Sequence, residues 1–229
     1  MLIIYSFFII CYKVNLGGNM TTIYISSKQA HNFDDYTINK IGVPSSVLME
    51  RAALAVCQRL LESRNFNLKK VLVVAGIGNN GGDGIAVARM LYLKQVPVKI
   101  YLLGDREKIS KDSRIQLKIA ENYGVPFVSN IDDLSSYTTI VDAVFGVGLS
   151  RDVTGEIAGI VDFINNSPAS VMAVDMPTGL NADNGNIMGT AVKAAETVTM
   201  SYNKLGLISE TGRKFAGVVT VADIGIYEP

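Results

Sequence analysis

The chain has 229 residues, 48% hydrophobic and 18% charged, a balance that supports a sizeable core and excludes a disordered chain. Its 21 basic and 21 acidic side chains leave a formal charge of +0, so no overall basic field exists to hold nucleic acid or an anionic membrane. Two cysteines, Cys11 and Cys57, cannot build a disulfide framework, and the single histidine, His31, excludes a multi-histidine metal site. Reduced thiols fit a cytoplasmic protein.

Residues 1–19 read differently from the rest. Leu2 to Cys11 is apolar, but this run is about half the length of a membrane-spanning helix. No basic residues precede it and no small-residue cleavage site follows, so it does not read as a signal peptide. The expectation is an extension or a mis-called start outside the fold, with one domain over residues 20–229; an extra strand or docked tail is the next alternative and a membrane anchor the last.

From Met20 onward the pattern predicts a helix over residues 26–40, broken at Gly42-Val43-Pro44, and a second helix capped by Ser45 or Ser46 and running to Ser63. Leu48, Ala52, Val56 and Leu60 recur every fourth residue as its buried stripe. Strands are predicted over residues 70–75, 96–103, 126–129, 139–145, 171–175, 196–201 and 218–223. Helices fall between several of them, over residues 83–95, 110–123 and 156–165. Continuous apolar strands separated by helices indicate an α/β fold, a Rossmann-like three-layer sandwich with a mostly parallel sheet covered on both faces. Ligands bind such sheets at the carboxyl ends of the strands.

Three strand ends stand out. Residues 76–84 read Gly76-Ile77-Gly78-Asn79-Asn80-Gly81-Gly82-Asp83-Gly84, a loop whose glycines let the backbone approach a ligand and whose following helix start suits a phosphate. A tight turn that merely needs glycine is the plainer reading, although it leaves Asn79, Asn80 and Asp83 unexplained. Asp142 interrupts an apolar strand, where a carboxylate is costly unless paired, hydrogen-bonded or bound to a cation. Asp175 closes a strand before the turn Met176-Pro177-Thr178-Gly179, placed either for chemistry or to bind the amides of the next loop.

Taken together these segments, with Leu48-Met49-Glu50-Arg51-Ala52 and Lys204-Leu205-Gly206-Leu207, resemble the NAD(P)H-hydrate epimerase family. The resemblance spans about residues 22–226 in family order. Thr178 stands where serine is commoner and keeps the hydroxyl. The resemblance implies a substrate, NADH or NADPH hydrated across the nicotinamide 5,6 double bond, whose R and S forms at C6 are interconverted. An S-specific NAD(P)H-hydrate dehydratase is then the functional partner, and a cytoplasmic homodimer the expected form. Loss of the C6 hydroxyl and its return to either face, or ring opening at the C6–N bond and reclosure, needs a proton donor and acceptor, for which Asp175 is the candidate; a raised pKa would suit it. The matched substrate contacts are Asn79, Asn80, Gly81, Gly82 and Asp83, then Gly146, Val147, Gly148, Leu149, Ser150, Arg151 and Asp152, together with Asp175. A potassium ion is implied, with Asn80, Asp142 and Thr178 as ligands. Hard oxygen donors suit such a cation. Lys204 either faces the site or is a solvated turn residue.

Two other functions compete. Residues 76–81 match G-x-G-x-x-G, and Asp105 follows the second strand of the sheet where an NAD(P)-dependent oxidoreductase would bind a ribose hydroxyl. A non-catalytic binding or scaffold module on the same fold is the other.

Overall fold

The computed structural model describes residues 12–15, 21–131 and 136–229. Strand β1 (Tyr12–Asn15) pairs antiparallel with β2 (Thr21–Ile25), so part of the segment expected outside the fold lies in a strand. Residues 1–11 and 16–20, with the whole apolar run, lie outside the described residues.

Helix α1 (Ser27–Tyr36) opens with a capping box, in which Ser26 accepts from the Gln29 amide and the Gln29 side chain accepts from the Ser26 amide. It widens into a π turn over Thr37–Ile41 and stops at Gly42, whose φ of 86° is easy only for glycine. Helix α2 (Ser45–Glu62) is capped differently from the expectation. Pro44 holds the N-cap position and both serines lie in the first turn, because the Pro44 carbonyl already accepts from Val47 (2.9 Å). The stripe Leu48, Ala52, Val56 and Leu60 is buried as its spacing requires.

The chain then alternates through β3 (Val71–Ala75), α3 (Asn79–Leu93), β4 (Val98–Leu102), α4 (Lys111–Asn122), β5 (Phe127–Val128) and β6 (Thr139–Ala143). It continues with α5 (Gly155–Asn166), β7 (Ser170–Val174), β8 (Glu196–Met200), β9 (Asn203–Lys204), α6 (Leu205–Ile208), α7 (Glu210–Ala216) and β10 (Val218–Ala222). Seven strands form one sheet in the order β10-β8-β7-β6-β3-β4-β5, every neighbour parallel. Strand β9 instead joins β2 and β1 in a small separate sheet.

Both faces of the large sheet are covered, which explains why its strands read as apolar runs. Val71, Val73 and Ala75 of β3 pack into one core with α2 and α3, while Leu72 and Val74 pack into the other with α5. The chain builds outward from β3 to β5, then returns to the other side of β3 as β6. That reversal is the topological switch point, and it opens a crevice beyond the carboxyl ends of β3 and β6.

Helix α3 begins at Asn79, four residues before the expected Asp83, so most of the glycine segment is helix and not loop. Packing decides this. A Cβ at Gly81 would fall on the Gly76 carbonyl, one at Gly82 on Ser113 and Met49, and one at Gly84 on the Ala143 methyl. These glycines let the first turns of α3 press against β3, α2, α4 and β6.

Candidate active site

The crevice is a cavity of about 400 Å³, within the roughly 300–1,000 Å³ usual for small-molecule sites. The turn after β3 and the start of α3 supply Gly78, Asn79, Asn80 and Asp83, and the turn after β6 supplies Gly146, Val147 and Gly148. Asp175 comes from the end of β7, Lys204 from β9, and the apolar wall includes Phe33, Leu48, Met49 and Ala52 from α1 and α2. Asp142 and Thr178 lie behind this lining. Gly81 and Gly82 are buried under it, and Leu149, Ser150, Arg151 and Asp152 do not border it, the last three being exposed.

Asp175 is held tightly. Its φ is 65°, a left-handed conformation uncommon for a residue other than glycine, and it turns the carboxylate into the cavity floor. Oδ1 accepts from Lys204 Nζ (2.8 Å), Thr199 Oγ1 (3.2 Å) and the Met200 amide (3.4 Å), and Oδ2 from the Val147 amide (3.2 Å). Burial would raise this carboxyl, but the Lys204 ammonium and the amide donors outweigh it and hold the carboxyl below its ordinary value. A raised value is therefore not what the structure gives: the Asp175 carboxyl stands ionised. Gly146 makes room for it, since a Cβ there would lie 2.8 Å from Asp175 Oδ2 and 3.1 Å from Asn80 Oδ1.

Lys204 is buried, 2% exposed, and is not a solvated turn residue. Its three donors are used on Asp175, Thr199 Oγ1 (2.9 Å) and the Met200 carbonyl (3.0 Å). The pairing of β9 with β2 across Ile25 and Lys204 carries it there.

Two further carboxyls share the cavity. Burial first, then Asp175 and Asp34, push Asp83 well above the usual carboxylate range. Asp34 of α1 is not among the residues that the sequence motifs single out. It follows Ala30 by four residues and precedes Thr37 by three, so helical spacing alone put it on the buried face. Burial, then Asp175, push it up to about 6, against the opposing pull of Lys204 and His31.

Asp142 is fully buried and bound to the turn that follows β7. Oδ2 accepts from the Thr178 amide (2.8 Å), and Oδ1 from the Thr178 hydroxyl (2.7 Å) and the Val144 amide (3.3 Å). Thr178 Oγ1 in turn accepts from the Phe145 amide (3.0 Å). Burial pushes the Asp142 carboxyl up to about 6 in spite of these donors. The Asn80 side-chain nitrogen is buried without a partner. Which end of such an amide is oxygen follows from its bonding network, so this position equally suits the oxygen turned towards a cation. Asp142 Oδ2 and Thr178 Oγ1 each keep an unused lone pair. Amide, carboxylate and hydroxyl thus form a donor set that fits a hard cation. Asp105, by contrast, lies away from this cavity. It caps a short 3₁₀ turn, accepting from the Glu107 amide (3.0 Å), and lines a second groove beside Phe127.

A family profile described as YjeF-related protein N-terminus matches residues 45–206. The NAD(P)H-hydrate epimerase of Levilactobacillus brevis is 50% identical over 203 residues, covering 89% of this chain and 94% of its own length. The chain belongs to the NAD(P)H-hydrate epimerase family. The enzyme of that name from Limosilactobacillus reuteri (strain ATCC 55730 / SD2112) is 49% identical over 209 residues, 91% of this chain and 99% of that one. Among solved structures, yeast ynu0 superposes with a TM-score of 0.71 at 26% identity, over 80% of this chain and 82% of that one.

Proposed function

We propose that this chain interconverts the R and S forms of hydrated NADH and NADPH at C6 of the nicotinamide ring, an isomerase of cofactor repair. The observation that carries the reading is the ionised, fully supported Asp175 carboxylate at the floor of the switch-point cavity, in a chain half identical to epimerases over nearly their whole length.

C6 adjoins the ring nitrogen, whose lone pair assists departure of the hydroxyl as water and leaves an iminium-like cation. Return of water to either face interconverts the epimers, and the incoming water must lose a proton. Asp175 accepts it, because Lys204 and the Val147 and Met200 amides keep the carboxylate charged and aimed. The apolar wall of Phe33, Leu48 and Met49 limits competing water. At the other end, the Gly82 amide already bonds the Gly78 carbonyl (3.2 Å), and the amides before it have no intrahelical acceptor. These suit the cofactor's phosphates.

A potassium-type cation would be held by Asn80, Asp142 and Thr178. It would supply the counter-charge that Asp142 lacks and tie together the turns after β3, β6 and β7. An S-specific dehydratase, a homodimer and a cytoplasmic setting follow from the family resemblance; the described residues contain no helix long and apolar enough to cross a membrane.

Coupled repair tests the reading. A pure S-specific dehydratase consumes only part of a mixed hydrate pool, and adding this protein should release the remainder. No further release would overturn the proposal. Absorbance at the reduced-cofactor band with this protein alone should not change, whereas an oxidoreductase would change it.

A further inference from the structure

We propose that Asp34 of α1 is a second catalytic residue of this site, protonating the C6 hydroxyl as it leaves, while Asp175 takes the proton of the returning water. The inference rests on the epimerase reading. An ionised Asp175 is a good base and a poor acid, so the departing hydroxyl needs another donor.

The two carboxyls border one cavity from different elements and have opposite surroundings. Asp175 accepts from four donors, whereas among the described residues no donor reaches the Asp34 carboxyl. Asp34 is half-buried, open enough to regain a proton from solvent. The charged groups that act on it are Asp175, Lys204 and His31 of its own helix, with Asp83 of α3 coupled to it, and Asp112 of α4 and Tyr202 line the same cavity. Burial and the neighbouring Asp175 hold its proton to about pH 6, near the working range where a general acid is most effective. Asp83, which burial pushes well above the usual carboxylate range, favours its protonated form and suits a fixed hydrogen-bond donor.

Helix α1 is also anchored as a positioning element should be. The Ser27 amide and hydroxyl bond the Asp183 carboxylate (2.6 and 2.8 Å) and the Tyr227 amide bonds Thr37 Oγ1 (2.8 Å). Phe33 meets Tyr202 edge-on with ring centres 5.4 Å apart.

The step balances. The C6–O bond breaks with both electrons on oxygen, and the Asp34 proton completes the water. Water adds to the other face through its own lone pair and gives a proton to Asp175. Solvent returns that proton to Asp34, and nothing is oxidised or reduced.

The test is the pH dependence of catalysed epimerisation, read by coupled dehydration after subtraction of the spontaneous rate. The wild-type kcat should fall by about tenfold per unit as pH rises past the ionisation of this acid. Asp34→Asn should lose that limb and about 10²–10⁴-fold in kcat with KM kept, and Asp34→Glu should restore the limb. If Asp34→Asn does not fold, the Asp34→Glu profile decides, because changing the acid must move the limb. The limb should persist in His31→Gln. An unmoved limb in the Asp34 variants, a kcat within about tenfold of wild type in folded Asp34→Asn, or loss of the limb in His31→Gln overturns the proposal and leaves the epimerase reading intact. Failure of the wild type to interconvert the epimers overturns both.

Discussion

Asp175 combines two duties that a single substitution cannot separate. It is the base of the proposed mechanism and the counter-charge of Lys204, whose side chain is 3% exposed. Asp175→Asn removes the base and also leaves a buried ammonium facing a neutral amide. We expect epimerisation to fall by about 10²–10⁴-fold and stability to fall by about 3–5 kcal/mol, the scale for orphaning one member of a buried pair. Adding Lys204→Met removes the orphaned charge, so the double variant should regain stability in urea unfolding without regaining activity. Lys204→Met alone leaves burial of Asp175 without its chief opponent; the carboxyl then stays protonated to higher pH, and the acidic limb of the rate profile should move upward. An unmoved limb would mean that Lys204 does not control the base.

The start of α3 shows how one short element serves packing and binding at once. Gly81 touches the backbone at Gly76, where nothing flexible can yield, while a Cβ at Gly78 would meet nothing within 4 Å. Gly78 has φ −84°, which any residue adopts, and it borders the cavity. Gly81→Ala should therefore destabilise the fold by about 1–3 kcal/mol or more, the usual cost of overpacking. Gly78→Ala should leave the unfolding midpoint nearly unchanged, and any effect should appear in KM for the hydrate. Equal midpoints for the two variants would show that α3 does not need close approach at Gly81. The sequence marked the glycine-rich segment but not which glycines face the ligand, because that depends on α2, α4 and β6 crowding the helix.

For the whole molecule, buried carboxyls give stability an uneven pH dependence. Asp34 and Asp142 have folded values raised to about 6 from 3.8, so their contribution is fully present below the unfolded value and is lost as pH rises through about 6. Asp175 and Glu196 are held low in spite of burial, Asp175 by Lys204 and Glu196 by Arg59, Ser63 and Asn65. Their contribution is present above the unfolded values and is lost as pH falls through the lowered folded ones. In cation-free buffer Tm should rise as pH drops from about 7.5 to about 5 and fall below about 4. Potassium at neutral pH should recover part of the loss by binding the folded state, against a choline control of equal ionic strength. Asp142→Asn should flatten the rise and abolish the potassium response; a response that survives would place the cation elsewhere.

Much of this was legible along the chain. Apolar runs of β-branched residues mark the central strands because both faces of a parallel sheet are buried, and the stripe from Leu48 to Leu60 marks α2 because helical periodicity is local. The clustering of Asn79, Asn80, Asp142, Asp175 and Thr178 at strand ends was equally visible, since strand ends are where such a sheet binds ligands. Tertiary structure alone decided the electrostatics. Whether Lys204 is solvated or pairs with Asp175 depends on β9 joining β2. Whether Asp34 belongs to the site depends on α1 closing over the switch point, and whether Asp175 is acid or base depends on Lys204 and three further donors. Periodicity arises from neighbours in sequence, but a carboxyl's charge state arises from neighbours in space.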